Sequence, residues 1–401
     1  MIDTFPPTRQ AALDRLNAVR PSDYARSRNA IEGAVTGLSP YITHGLISLP
    51  EVLAGVTAKH SLDVQHKFVF ELGWREYFRH VWAFRGEEIF ESLREGLLPK
   101  TSYSALLPED IRQADTGVPV IDMAVRTLYA TGYLHNHARM WLASYVVHVR
   151  KVEWRIAADW LYGHLLDGDL ASNHLSWQWV AGTGSSKPYV FNAENVMKFA
   201  PASARPAWDC TGTVIDKSYE ALDDFARNRA GVGAEPGAHE KVAEPPLSGH
   251  FYDANSTLAH VNSAQAAIKN IANKKLELVH PWALSQRLDA NTLRIGVVHL
   301  PAHSAWPWSE QRWRFVLDAM AHVTDGIWFG DLAELDVSAA SSVTAQATLF
   351  PGYRTALPQL AKLISAPRLL PDLTMACRSF SKFYEHARRD AGQFSDLLLR
   401  V

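Results

Sequence analysis

The chain has 401 residues, 47% of them hydrophobic and 20% charged, with a formal net charge of -2. Such a length exceeds one ordinary core and implies two or three domains, while the near-neutral charge confines any nucleic-acid surface to a local patch. Two cysteines, Cys210 and Cys377, exclude a disulfide framework, a four-thiolate zinc site and a four-cysteine iron–sulfur cluster, and no metal is expected.

The N-terminal stretch "MIDTFPPTRQAALDRL" lacks the apolar core of a signal peptide. No uncharged apolar run reaches membrane-spanning length, so a cytoplasmic protein without a membrane partner is expected. Residues 8–228 read as helix after helix, with helices expected at 46–57, 64–84 and 154–166. "TGVPVIDMAVRTLYATG" carries Ile121, Ala124, Val125 and Leu128 at amphipathic spacing, with Thr116 as the expected cap and Gly132 as the stop. "LHNHARMWLASYVVHVRKV" continues as another helix. The stretch 228–249 is rich in Gly, Ala, Glu and Pro and reads as a linker, followed by a polar helix over 256–278. Beyond it "LRIGVVHL", "DGIWFG" and "AQATLF" read as strands and "EQRWRFVLDAMAHV" and "YRTALPQLAKLI" as helices. That alternation predicts a small α/β domain with a parallel sheet. No glycine-rich phosphate fingerprint appears at its first strand.

Three helix faces mix residue types that a packing stripe does not need. In "DGDLASNHLSWQWVAGTG", Asp169, Asn173 and Trp177 recur at i, i+4 and i+8 and line one face, with Asp169 also placed to cap the helix. In "FELGWREYF", Glu71, Trp74, Arg75 and Phe78 share a stripe, so the polar groups sit with the aromatics and not opposite them. In "HNHARM", Asn136, Arg139 and Met140 share a third. A core helix with a surface ion pair explains each face taken singly. Three such faces together suit a large, flat, partly polar ligand, for which arginine and amide groups supply the donors. Thirteen tryptophans are the one compositional anomaly. Helical cores account for most of them.

These stretches resemble the FAD-binding helical domain of the DNA photolyase and cryptochrome family. "DYARSRNAIEGAVTGLSPYITHGLIS" resembles its phosphate-binding segment. "ELGWREYFRH", "TGVPVIDMAVRTLYATGYLHNHARM" and "DGDLASNHLSWQW" resemble the segments around the flavin and the lesion, in the same order over residues 20–200. The implied fold is an all-helical, photolyase-type domain over 1–228, a linker and polar helix over 229–285, and a small α/β domain over 286–401. "RWRFVLDAMAHV" with its neighbouring strand resembles part of the antenna domain, which implies a reduced or permuted copy; the usual N-terminal position of that domain is not matched.

The resemblance assigns roles residue by residue. Tyr24, Thr36, Gly37, Leu38 and Ser39 would hold the FAD phosphates, with Val35 where the family has Thr. Asp167, Gly168 and Asp169 would contact the cofactor, Arg139 would pair with Asp167 beside the ring, and Asn173 would face flavin N5. Trp177 would be the first electron donor and Trp154 the second. The family's third tryptophan falls near Thr101, where this chain has none and Tyr103 is the nearest aromatic. Glu71, Trp74, Arg75, Asn136, Met140 and Trp179 would contact a cyclobutane pyrimidine dimer flipped out of UV-damaged DNA. Enzymes of the family that act on (6-4) photoproducts carry histidines at the places of Asn136 and Met140. The family's substrate-contacting Gln is not found, and Asn195 is the nearest amide. The implied activity is light-driven dimer repair by a monomeric deoxyribodipyrimidine photolyase with reduced FAD. A cryptochrome-like photosensor using the same flavin and tryptophans is the alternative.

Overall fold

The structure, a computed structural model, describes residues 5–185, 187–233, 240–251 and 254–390. It divides into two compact units that interleave along the sequence. Among the described residues, the first comprises those within Arg20–Val35 and Phe84–Pro245; the second comprises those within 5–19, Thr36–Ala83 and 246–390.

The first unit is helical, and its described residues hold no strand beyond an isolated bridge between Ser104 and Val152. The Pro119–Thr131 helix buries Ile121, Ala124, Val125 and Leu128, the stripe read from the sequence, and ends at Gly132 in the left-handed region at φ 65°. Its start differs from expectation. Val118 occupies the cap position, and Thr116 instead gives both its backbone N–H and its hydroxyl to the Asp122 carboxylate, each at 2.8 Å. The next helix runs over Asn136–Ser144 and then widens into a π turn at Tyr145–Val149, so 134–152 is not one regular helix. Three valines in that turn carry low helix propensity, and packing decides the backbone there. The Trp154–His164 and Leu170–Ala181 helices complete a core that includes Trp141, Trp154 and Trp177. Past the linker, Glu244 belongs to this same unit. It accepts hydrogen bonds from Trp160 Nε1 and Arg112 Nη1, both at 2.9 Å.

The second unit joins short N-terminal helices and the Lys67–Arg85 helix to a five-stranded, wholly parallel sheet. Across the sheet the strands run Gly326–Gly330, Leu293–His299, Lys275–Val279, Ser342–Gln346 and Lys362–Ile364. The first strand in the chain is therefore central, with the next two on one side and the last two on the other, the doubly wound order. That bears out an α/β domain following the helices, with two local corrections. The polar helix stops at Ile268, and "KLELV" becomes the central strand because the Leu293–His299 and Ser342–Gln346 strands pair with its two edges. "YRTALPQLAKLI" likewise splits into the Tyr353–Leu360 helix, with Pro358 inside it, and the edge strand Lys362–Ile364. Proline removes a helical hydrogen bond, and the helix ends two residues later.

Doubly wound sheets bind ligands beyond the carboxyl ends of the strands where the strand order reverses. Here that crevice holds the protein's own side chains. Trp282 stacks on Phe350 with ring centroids 4.0 Å apart, and the fully buried His280 donates Nε2–H to the Gln346 carbonyl at 3.0 Å.

Candidate functional site

The polar face expected around Asp167 forms within the first unit. Arg139 Nη2 donates to both carboxylate oxygens of Asp167, at 3.0 and 2.8 Å, and its Nε bonds the Leu134 carbonyl at 2.9 Å. Asp167 is only 6% exposed, so an unpaired charge there would cost several kcal/mol, and the guanidinium offsets that cost. Two residues on, the Asp169 carboxylate accepts the Ser172 N–H at 2.8 Å and caps the Leu170–Ala181 helix. Asn173 follows one turn later and donates Nδ2–H to the Ala158 carbonyl at 2.8 Å. Because a carbonyl can only accept, that bond fixes which end of the amide is the NH2, and Oδ1 is left as an acceptor.

The same helix separates its two tryptophans by function of position. Trp177 is 2% exposed and lies in the core with Trp154, whereas Trp179, two residues or some 200° further round the helix, is 44% exposed. Trp179 leans on Tyr189 with ring centroids 5.7 Å apart. Gln178, between them, is fully buried. Its Nε2 donates to the Ile89 and Glu91 carbonyls at 2.9 and 3.0 Å, and its Oε1 accepts the Leu93 N–H at 2.8 Å. It thereby sets the segment carrying Ser92, whose hydroxyl oxygen accepts Trp154 Nε1–H at 3.0 Å. Neither Gln178 nor Ser92 was found from the sequence, although a glutamine between two tryptophans in a core helix was the available signal.

In the Asn136–Ser144 helix, Asn136 is exposed and its Nδ2 lies 3.5 Å from Met140 Sδ, so the two share a face as their spacing requires. His135 and His137 are both buried. Burial pushes the His135 imidazole down to about 4 and lowers His137 in the same direction, with the neighbouring positive groups adding to it, so both are neutral at physiological pH. His137 packs on Phe199 at 4.4 Å between ring centroids. Asn195 accepts Trp141 Nε1–H at 3.0 Å and serves to seat that ring.

The remaining expected residues belong to the second unit, apart from Tyr24, which lies in the Pro21–Ser27 helix of the first. Gly37 is left-handed at φ 61°, and a Cβ there would lie 2.4 Å from Arg15 Nη1. A guanidinium thus rests against the segment of Thr36, Leu38 and Ser39, a neighbour that no motif in the sequence signalled. Thr36 Oγ1 accepts the Leu38 N–H at 3.3 Å, and Ser39 begins the short Ser39–Thr43 helix. On the Lys67–Arg85 helix, Glu71, Trp74, Arg75 and Phe78 form a half-buried stripe, and the core side is Phe68, Leu72, Glu76 and His80. Arg75 Nη1 donates to Thr43 Oγ1 at 3.1 Å. Trp74 is stacked on Phe380 at 4.1 Å and an interplanar angle of 10°. One ring face of Trp74 is therefore already covered. The C-terminal segment holds this helix throughout: the Leu369 N–H donates to Glu76 at 2.8 Å, the Cys377 N–H donates to His80 Nε2 at 3.0 Å, and Phe383 packs on His80. Burial pushes the Glu76 carboxyl up to about 7 against the lowering effect of the Leu369 N–H.

Each unit carries donors of one kind. In the second unit the hydroxyls, a left-handed glycine and a guanidinium have the chemistry to hold phosphate; in the first, a carboxylate–guanidinium pair and an amide acceptor have the chemistry to hold the polar edge of a flavin ring. Among the described residues no group of His, Cys, Asp or Glu could hold a metal ion, and no helix is long and apolar enough to cross a membrane.

Residues 68–244 match the family model of the FAD binding domain of DNA photolyase. The chain is 32% identical to a deoxyribodipyrimidine photo-lyase of Synechococcus over 49% of its own length and 41% of that protein's. It is 30% identical to a cryptochrome DASH of Idiomarina loihiensis over 55% of its own length and 53% of the relative's. It thus spans about half the length of the curated relatives it matches. A solved Synechocystis cryptochrome is similar at 29% identity and a TM-score of 0.46, covering 52% of this chain and 46% of that one.

Proposed function

The chain belongs to the photolyase and cryptochrome family and carries its FAD-binding domain, and from that premise we propose that it repairs cyclobutane pyrimidine dimers in UV-damaged DNA with light. When bound, reduced FAD would supply the light-driven electron transfer that splits the dimer. The chain's own residues bind and orient. Arg139 and Asp167 would hold the cofactor's polar edge, with Asp169 and Gly168 contributing, and Asn173 Oδ1 is the acceptor that would meet a ring N–H. Tyr24, Thr36, Gly37, Leu38, Ser39 and Arg15 take the phosphates. Trp177 and Trp154 carry an electron inward when the cofactor has become oxidised. Glu71, Arg75, Asn136 and Met140 bind the dimer, and Trp74 and Trp179 stack on it. The protein acts as a monomer in this reading.

The observation that carries the proposal is the contrast within one helix between the core residue Trp177 and Trp179, 44% exposed. A buried indole suits electron transfer; an exposed one two residues later, leaning on Tyr189 but open to solvent, suits a base. The exposed Asn136 beside Met140, with His135 and His137 buried and neutral, further favours dimers over (6-4) products, whose rearrangement needs a proton donor. A photoreceptor without repair is the second reading. Phe380 on Trp74 favours it, because that ring face is closed to a base.

The test is illumination of reduced protein with oligonucleotides bearing either lesion, single- and double-stranded, followed by chromatography. Loss of the dimer with the (6-4) product intact is expected. Retention of both lesions would eliminate repair and leave the photoreceptor, and reversal of the (6-4) product would point to His135 or His137 as an acid.

A further inference from the structure

A cleft of about 660 Å³ opens in the first unit beside Trp154, away from the residues assigned to cofactor and dimer. Trp154 forms part of its wall although only 5% of the residue is exposed, and Ser92, which accepts the indole N–H at 3.0 Å, lines the cleft beside it. Tyr103 lines it too, and Lys100 and Tyr103 flank Thr101, the place where the sequence lacks a third tryptophan. The cleft is therefore where the Trp154 ring meets the outside.

Its chemistry is specific enough to choose an occupant. Leu97, Leu98 and Pro99 give apolar contact to a small ring. The charged wall residues are Glu91, Glu95 and Glu153 against Arg94 and Lys100, three negative and two positive. Lys100 is taken up by Glu153 at 3.0 Å. The balance disfavours an anion such as a nucleotide and leaves carboxylates that accept O–H donors. Pockets of this size take ligands up to drug size, so a small ring compound fits within this one.

We propose that this cleft docks a neutral hydroquinone-type reductant that refills the hole on Trp154. The inference rests on the electron path proposed above. In each step the docked hydroquinone passes one electron to oxidised Trp154, restoring it, and one phenolic proton goes to a cleft carboxylate, Glu91 or Glu95, and thence to water. Two such steps, each following one photon, turn one hydroquinone into one benzoquinone with the release of two electrons and two protons. Ser92 keeps the indole nitrogen turned to the cleft throughout, which makes it a positioning residue.

The experiment uses the full chain and 1,4-hydroquinone as the probe. Calorimetry in the dark measures binding directly, and the initial rate of flavin photoreduction is then followed against hydroquinone concentration. Saturable binding and a rate that saturates at the same concentration are expected. Lys100→Trp, at an exposed position, places an indole over the cleft and should weaken dark binding at least tenfold with an unchanged thermal transition. Absent dark binding with a rate linear in hydroquinone overturns the site, and binding without effect on the rate overturns its role as donor. Trp177→Phe separates this from the electron path: it should abolish photoreduction while dark binding persists. Normal photoreduction in that variant overturns the path and the donor role with it.

Discussion

The Leu170–Ala181 helix and the Lys67–Arg85 helix look alike as sequence, each setting carboxylate, amide or guanidinium groups on one stripe with tryptophan. They are settled by different interactions. On the first, Asp169 bonds a backbone N–H three residues away, and Asn173 bonds the neighbouring helix. On the second, the stripe's tryptophan is met by Phe380, some three hundred residues distant in the chain, and the helix's buried carboxylate by Leu369. Polar groups close in sequence specify their own geometry, whereas an aromatic face takes whatever large apolar side chain the fold delivers to it.

Asp167→Ala puts the first half of that comparison under the greatest strain. Removing one partner of a nearly buried ion pair costs about 3 to 5 kcal/mol, and the flavin should be lost as well. Flavin stoichiometry after purification and the thermal midpoint report both effects, and a variant that keeps its full flavin content would break the assignment of Arg139 and Asp167 to the cofactor. Phe380→Ala tests the other half. Deleting a buried phenyl ring costs about 3 kcal/mol, read as a lower denaturation midpoint with the flavin content unchanged; loss of flavin at equal cost would mean that the two helices are not governed separately.

Acid should weaken the first unit through His148, which is buried and donates Nε2–H to the Val180 carbonyl at 2.9 Å. Burial lowers its imidazole to about 4, with the Val180 carbonyl partly opposing the shift. The unfolded chain takes up this proton near the ordinary histidine value, so the stabilisation is complete above about pH 6.5 and is lost as pH falls toward 4. Between pH 6.5 and 5 this amounts to about 2 kcal/mol, and His148→Gln should remove that much of the pH dependence in denaturant titrations. An unaltered slope would show that the site is hydrated.

The smallest effects are expected to be equal in the two units. Asp169→Ala and Ser48→Ala each delete an N-cap, the latter part of a capping box with Glu51, and each should cost about 1 kcal/mol. A much larger loss for Asp169→Ala, with altered flavin absorbance, would sharpen the comparison by giving that carboxylate a direct part in binding the cofactor.

How much was legible in the sequence follows the same division. Periodicity was enough for the Pro119–Thr131 helix and its glycine stop, and for the placement of Asn136 with Met140, because these depend on rotation per residue along one helix. The strand order was not legible, and neither was the conversion of "KLELV" from helix end to central strand. A short polar stretch becomes a strand only when neighbours on both sides pair with it. The same limit hid Arg15 behind Gly37, Gln178 beneath Ser92 and Phe380 on Trp74.

By itself the sequence determined which residues could carry the chemistry: the Asp–Arg pair, the amide, the ordered tryptophans and the order of the motifs. Helical spacing and side-chain chemistry are properties of the local chain, so they survive any tertiary arrangement. Only the tertiary structure decided which chain segments join into each unit, which tryptophan is buried and which is exposed, and what lies against the ring of Trp74. Those outcomes depend on side chains brought together from distant positions, and burial, unlike periodicity, is a property of the partner as much as of the residue itself.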